Sequence, residues 1–203
     1  MKRPIPRLVF WVAVFLCGSL QAQLLQNGDF ETISVLEDQT ALPNWSIDAV
    51  GGEYVSDAHS GKGAIMLKNW YIWARGWACY GGGEVTNCSG MPVSEPPSRL
   101  TGWYKYVYGE NGGANDSAVC TITVLNQPDD LGNRDTASTV RALFGPSEEF
   151  QRFSIDIPYQ ESPEHVGSVV ILFLSSEHGN CGTGHRSECL YLTLDDLELE
   201  PLK

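Results

Sequence analysis

Residues 99–109 constrain the fold of this chain more than any other stretch. They read Arg99, Leu100, Thr101, Gly102, Trp103, Tyr104, Lys105, Tyr106, Val107, Tyr108 and Gly109. Aromatic and β-branched residues at this density suit a pleated, half-buried surface. The turn formers Glu110, Asn111, Gly112 and Gly113 close the run. A long strand in the middle of a sheet is therefore expected. Side chains alternate faces along a strand, so Leu100, Gly102, Tyr104, Tyr106 and Tyr108 share one side. Thr101, Trp103, Lys105 and Val107 share the other. A lysine almost never enters a core without a partner, so the Trp103/Lys105 side is expected to face outward. An outward tryptophan beside an amine suits a binding face. The plain alternative is a tryptophan covered by a neighbouring loop.

The rest of the chain repeats this grammar. Strand-like runs cover 64–68, 70–78, 118–125, 152–157, 168–174 and 190–199. Clusters of Gly, Pro, Asn, Asp and Ser separate them, and no sustained helical period interrupts. Many short strands with such turns indicate an all-β antiparallel sandwich or barrel. The proline-rich stretch 92–97 reads as a loop leading into the central strand.

Residues 1–22 have the form of a secretory signal peptide. Lys2, Arg3 and Arg7 precede a short apolar run and a small-residue exit at Ala22. The run is too short for a spanning helix, and no later segment is long and apolar enough to span a membrane. Cys17 invites a lipid-anchored reading, but Leu16 ahead of it is not small, so free export to the exterior or cell surface is preferred. Residues 23–203 then form a single domain of ample size for a full core. Losing three basic residues takes the formal charge from −12 to −15. Such acidity disfavours nucleic acid and anionic membrane surfaces as partners. It is compatible with calcium and with neutral partners.

An exported chain meets an oxidising compartment, so disulfides are expected. Cys79 with Cys88 and Cys181 with Cys189 are natural local pairs, leaving Cys120 as a buried free thiol. Sequence alone does not fix this connectivity. A zinc reading of His178, Cys181, His185 and Cys189 stands beside it, without the close Cys-x-x-Cys spacing of structural zinc sites.

Two motifs sit near the chain ends: Asn27-Gly28-Asp29-Phe30-Glu31, and Leu192 to Leu199 with Asp195-Asp196 at its centre. With residues 60–64 and the strand at 101–108, they resemble the galactose-binding-like jelly rolls of carbohydrate-binding modules of families 4, 9, 16 and 22. Within that group the pattern Gly102-Trp103-Tyr104-Lys105-Tyr106 is most similar to the carbohydrate-metabolism domain PCMD of secreted bacterial proteins. The likeness spans nearly all of residues 23–203 and implies a two-sheet antiparallel jelly-roll β-sandwich. It also implies a structural calcium where the first and last strands meet, with Asp29, Glu31, Asp195 and Asp196 as the carboxylates. Calcium takes about six to eight hard oxygen ligands, so such a cluster is chemically apt. The plain alternative is that the aspartates make turns.

A third cluster lies at 70–80. Alternation puts Tyr71, Trp73, Arg75 and Trp77 on one face, and Arg75 argues against a core position. Sugar rings offer apolar C–H faces to flat aromatics and hydroxyls to polar neighbours. Tyr71, Trp73, Arg75, Trp77, Trp103 and Lys105 are thus the candidate sugar-binding residues. The alternative places these aromatics in the core. Catalysis has little support: nucleophile-elbow and zinc-helix motifs are absent, and the adjacent Glu148 and Glu149 point to opposite faces of any strand. A non-catalytic module for polysaccharide or glycan is the leading reading. An adhesive sandwich binding a surface protein is the second, and a carbohydrate-active hydrolase the third. Asp116-Ser117-Ala118 and Asp135-Thr136-Ala137 also resemble bacterial O-glycosylation acceptors.

Overall fold

The computed structural model describes residues 24–36, 39–69, 75–83, 85–109, 116–160, 163, 165–179 and 189–203. Among them there are thirteen strands and no helix. In chain order these are β1 Ser34–Leu36, β2 Gln39–Ala41, β3 Trp45–Ile47, β4 Gly52–Val55, β5 Ala64–Lys68, β6 Trp77–Tyr80 and β7 Met91–Pro92. There follow β8 Pro97–Tyr108, β9 Ala118–Asn126, β10 Thr136–Phe144, β11 Ser147–Asp156, β12 Val166–Leu174 and β13 Leu190–Pro201. Strands β1 and β2 form a small ribbon of their own.

The other strands make two antiparallel sheets. One runs β11-β8-β13-β5-β4. The second runs β10-β9-β12-β6-β3, with β7 also against β12. After β8 the chain passes to the second sheet for β9 and β10, returns for β11, crosses again for β12 and comes back for β13. That alternation is the jelly-roll β-sandwich. The expected central strand is interior, but β13 holds the middle of its sheet and β8 lies between β13 and β11.

The expected facing of β8 holds. Leu100 and Tyr106 are fully buried, and Tyr104 packs on Phe144 at 4.8 Å between ring centroids. Leu190, Leu192, Leu194, Leu197 and Leu199 of β13 join them, opposite Ala118, Cys120, Ile122 and Val124 of β9 and Val169, Ile171 and Phe173 of β12. Leu194 and Leu197 both face inward, which strict alternation forbids. A bulge between Asp195 and Glu198 absorbs the extra residue, and Asp196 there takes φ 49°. A bulge of this kind re-aims the side chains beside it.

The same bulge docks the start of the described chain. Leu197 N–H donates to Gly28 O at 2.8 Å. A Cβ on Gly28 would lie 2.0 Å from Leu197 O, so only glycine allows this approach. Phe30 is then fully buried against Trp45, at 5.4 Å between centroids.

Cys79 and Cys88 are joined as expected, and Cys120 is a buried free thiol. Cys189 is disulfide-bonded, while Cys181 lies outside the described residues. Closing the short 79–88 loop restricts the unfolded chain and contributes about 2–3 kcal/mol. Non-reducing peptide mapping should recover the Cys79–Cys88 link. Burial pushes the Cys120 thiol well up, so alkylation should reach it only after unfolding. Rapid labelling of Cys120 in the folded protein would contradict this packing.

Candidate functional site

Alternation from the inward Leu194 aims Asp195 outward, level with Trp103 of β8 and just ahead of the bulge. Yet Asp195 is fully buried, because the 59–60 segment lies over it. Its Oδ2 accepts the backbone N–H of His59 at 2.8 Å and of Ser60 at 3.0 Å. Its Oδ1 accepts the N–H of Asp196 at 2.8 Å. Burial pushes the Asp195 carboxyl above its ordinary value; the three N–H donors act against that, and the Asp196 charge adds to it.

Two further carboxylates hold the same loop. Asp196 Oδ1 accepts the Ser60 hydroxyl at 2.9 Å, and Asp196 Oδ2 lies 2.7 Å from His59 Nδ1. Glu31 Oε1 accepts the N–H groups of Lys62 at 2.5 Å and Gly63 at 3.2 Å. Gly61, at φ 66°, makes the turn between them, and a Cβ there would meet Glu31 Oε1 at 2.2 Å. Glu31, Asp195 and Asp196 are thus gathered on one loop. Asp29 is not: its Oδ1 accepts the N–H of Glu31 at 3.3 Å within its own turn.

Hard oxygens and surplus negative charge suit calcium in kind. A carboxylate offers about four lone-pair positions; three are taken on Asp195 and two each on Asp196 and Glu31. Among the described residues, no three His, Cys, Asp or Glu side chains are grouped as metal ligands. As hydrogen-bonded here, the cluster clamps the 59–63 loop.

The clamped loop covers Trp103. The His59 ring stacks on the indole at 3.7 Å with 13° between planes, and Phe150 meets His59 edge-on at 5.9 Å. Of the two expectations for Trp103, loop coverage is therefore met on one ring face, and the residue stays half-buried. Lys105 also faces outward, paired with Asp57 at 2.9 Å.

Beyond this aromatic wall lies an open groove of ≈ 350 Å³ lined by Arg99, Thr101, Arg152, Phe153, Ser154 and Glu200. Strand register explains the lining. Arg152 lies opposite Trp103, Ser154 opposite Thr101 and Asp156 opposite Arg99. On the far side of β8, Glu198 lies opposite Thr101 and Glu200 opposite Arg99. The run 152–157 was expected as a strand, but no sequence signal pairs β11 with β8, so these residues were missed.

The second aromatic cluster sits elsewhere. Trp77 is on β6, in the other sheet, beside Ala78 and Tyr80 that face the core. It therefore faces outward from the opposite side of the sandwich to Trp103. Arg75 is exposed and donates to Glu177 O at 3.0 Å, so it is not a neighbour of Lys105. Tyr71 and Trp73 lie outside the described residues, as do Cys181 and His185 of the zinc reading. His178 instead faces Asp116 at 3.6 Å. Asp116 is buried and accepts from Ser176, Ser117, Glu177 and His178, which removes it from any exposed acceptor motif, whereas Asp135 and Thr136 are exposed.

Asp195 gives this site a signed pH dependence. A carboxyl raised by folding contributes stability that is full below its unfolded value, near 3.8, and lost as pH rises through the raised folded value. Asp195→Asn removes that titration and sets an amide N–H against a backbone donor, costing about 1–3 kcal/mol. The stability gap between wild type and Asp195→Asn should widen on acidification, read from paired melts across pH. A narrowing gap would contradict the burial of this group.

No protein-family model and no curated protein matches the sequence. Solved structures do match the fold. A "putative glycoside hydrolase" from Bacteroides thetaiotaomicron is 13% identical, with 84% of this chain and 66% of that one covered, at TM-score 0.61. A second protein so described, from Bacteroides vulgatus, is 15% identical, with 84% and 90% covered, at 0.60. The chain spans just under two thirds of the first. A family 16 carbohydrate-binding module is also among the matches, at 11% identity, 87% and 99% coverage and TM-score 0.48. At these identities the two larger scores speak for the fold, and agree with the jelly roll traced by the strands.

Proposed function

We propose that this chain is an exported, non-catalytic glycan-binding module that works from the outer face of the β11-β8-β13-β5-β4 sheet. The carrying observation is the groove beside Trp103. It is concave, of ligand size, and lined by donors and acceptors that match sugar hydroxyls, with Trp103 next to the lining residue Arg152 in the strand register. The descriptions of the two Bacteroides neighbours as glycoside hydrolases support contact with glycan but not its non-catalytic character, for which the resemblance of the Gly102–Tyr106 pattern to PCMD domains speaks. Export rests on the form of residues 1–22.

Hydrolysis is the weaker reading. A general acid needs a raised carboxyl within reach of the glycosidic oxygen. The raised carboxyl on this face among the described residues, Asp195, is sealed under the 59–60 loop. An adhesive reading has one observation in its favour. Leu143, Leu174 and Trp77 flank the buried Val119 in one row across the outer side of the opposite sheet, and Leu143 is 51% exposed.

Affinity electrophoresis through gels loaded with soluble polysaccharides separates the two. Retardation by at least one polymer is expected, weakened about tenfold by Trp103→Ala and unchanged by Trp77→Ala. Loss with Trp77→Ala alone would favour the opposite face. No retardation of folded wild type by any polymer would count against glycan binding.

The proposal also includes calcium at the loop clamp, held by Glu31, Asp195 and Asp196 in exchange for some of their hydrogen bonds. A cation that binds the folded state alone, at a hundredfold excess over Kd, stabilises it by about 2.7 kcal/mol. The melting temperature should then rise by about 5–10 °C in calcium over chelator. Glu31→Gln or Asp196→Asn should remove the shift. Coincident melts of wild type would show the clamp to be complete without metal.

A further inference from the structure

Cations on the outer face of the five-stranded sheet are neutralised, with one exception among the strand residues described. Lys68 meets Glu53 at 2.6 Å and Lys105 meets Asp57 at 2.9 Å. Arg99 meets Asp156 at 2.6 Å and Glu200 at 3.8 Å. Arg152 is exposed on β11 and has no ion-pair or hydrogen-bond partner among the described residues. Acids are in surplus in this chain, 25 against 13 basic residues, and they pair its neighbours but leave Arg152 open. It lines the groove, level with Trp103.

We infer that the groove takes a glycan bearing a carboxylate, a uronic acid unit, with Arg152 as its anchor. The inference rests on the glycan-binding reading above and names the ligand class of that same site. A guanidinium presents parallel N–H donors that match both oxygens of a carboxylate, while a hydroxyl takes them singly. Thr101 and Ser154 supply hydroxyls on the adjoining row for the uncharged part of the ring.

Glu200 in the groove lining is held by Arg99 at 3.8 Å; Glu198 is the other acid that opposes this charge and decides where it sits. It is exposed on β13, across β8 from the groove, two strand spacings or about 10 Å from the β11 backbone. That exceeds the screening length of about 8 Å at physiological salt. A contact pair at Arg152 therefore outweighs repulsion from Glu198. A second carboxylate displaced toward β13 would meet Glu198 directly. Acidic units spaced among neutral ones fit the groove better than a run of them.

The test measures binding of glucuronoxylan, hyaluronan and alginate, each beside its carboxyl-reduced form, with neutral β-glucans alongside. At least one acidic polymer should bind, lose about tenfold on carboxyl reduction, and lose the same amount to Arg152→Ala. Arg152→Lys should recover part of the loss, and added salt should weaken wild type but not Arg152→Ala. Equal binding before and after reduction, or binding indifferent to Arg152→Ala, overturns the inference while leaving glycan binding intact. Failure of folded wild type to bind any polymer, acidic or neutral, overturns both.

Discussion

A single buried carboxylate fixes the geometry on which this site depends. Asp195 points to the outside of its sheet, yet water does not reach it. A charge in that position is costly unless hydrogen bonds replace the lost hydration. Backbone N–H groups of His59, Ser60 and Asp196 supply them. The loop is thereby held flat against the sheet, and His59 comes to rest on Trp103. The bulge that follows turns Asp196 onto the same loop and brings Leu197 to Gly28. One irregular residue thus couples the N-terminal segment, the covering loop and Trp103.

Charge on the outer face follows from the same arrangement. In an acidic chain the ordinary result is cations paired with nearby acids, and most are. Surface pairs of this kind contribute little to stability, about 0–1 kcal/mol each. Their effect is on recognition: they leave the face close to neutral around the groove and single out Arg152 as its open donor. The two sides of the sandwich are therefore chemically different. One offers a polar groove beside Trp103, the other an apolar row around Trp77.

The longer strands β5, β8, β9, β11, β12 and β13 were legible in the sequence because each has an apolar buried face, whereas β1–β4 and β7 are only two to four residues long and β6 runs Trp77–Tyr80 rather than 70–78. Residues 100–108 read as a strand with Trp103 outward, and so they are. Strand β10 was not legible: its inward set of Ser138, Val140, Ala142 and Phe144 is too mixed to stand out as apolar. Of the carboxylates in the terminal motifs, Glu31, Asp195 and Asp196 meet one loop, through hydrogen bonds. Their partners were not foreseen, since the 59–63 loop carries no periodic signal and is placed by contacts more than a hundred residues away. Trp77 and Trp103 looked alike in sequence because alternation says outward but not from which sheet. Arg152 was hidden for a related reason, since being unpaired depends on which strand lies alongside.

A crystal structure of the protein with a bound oligosaccharide tests the central claim most directly. The account predicts sugar density in the groove between Arg99, Thr101, Arg152, Ser154 and Glu200, ending at Trp103, with loop 59–63 in place. Density over Trp77 on the opposite sheet, with the groove vacant, would contradict it.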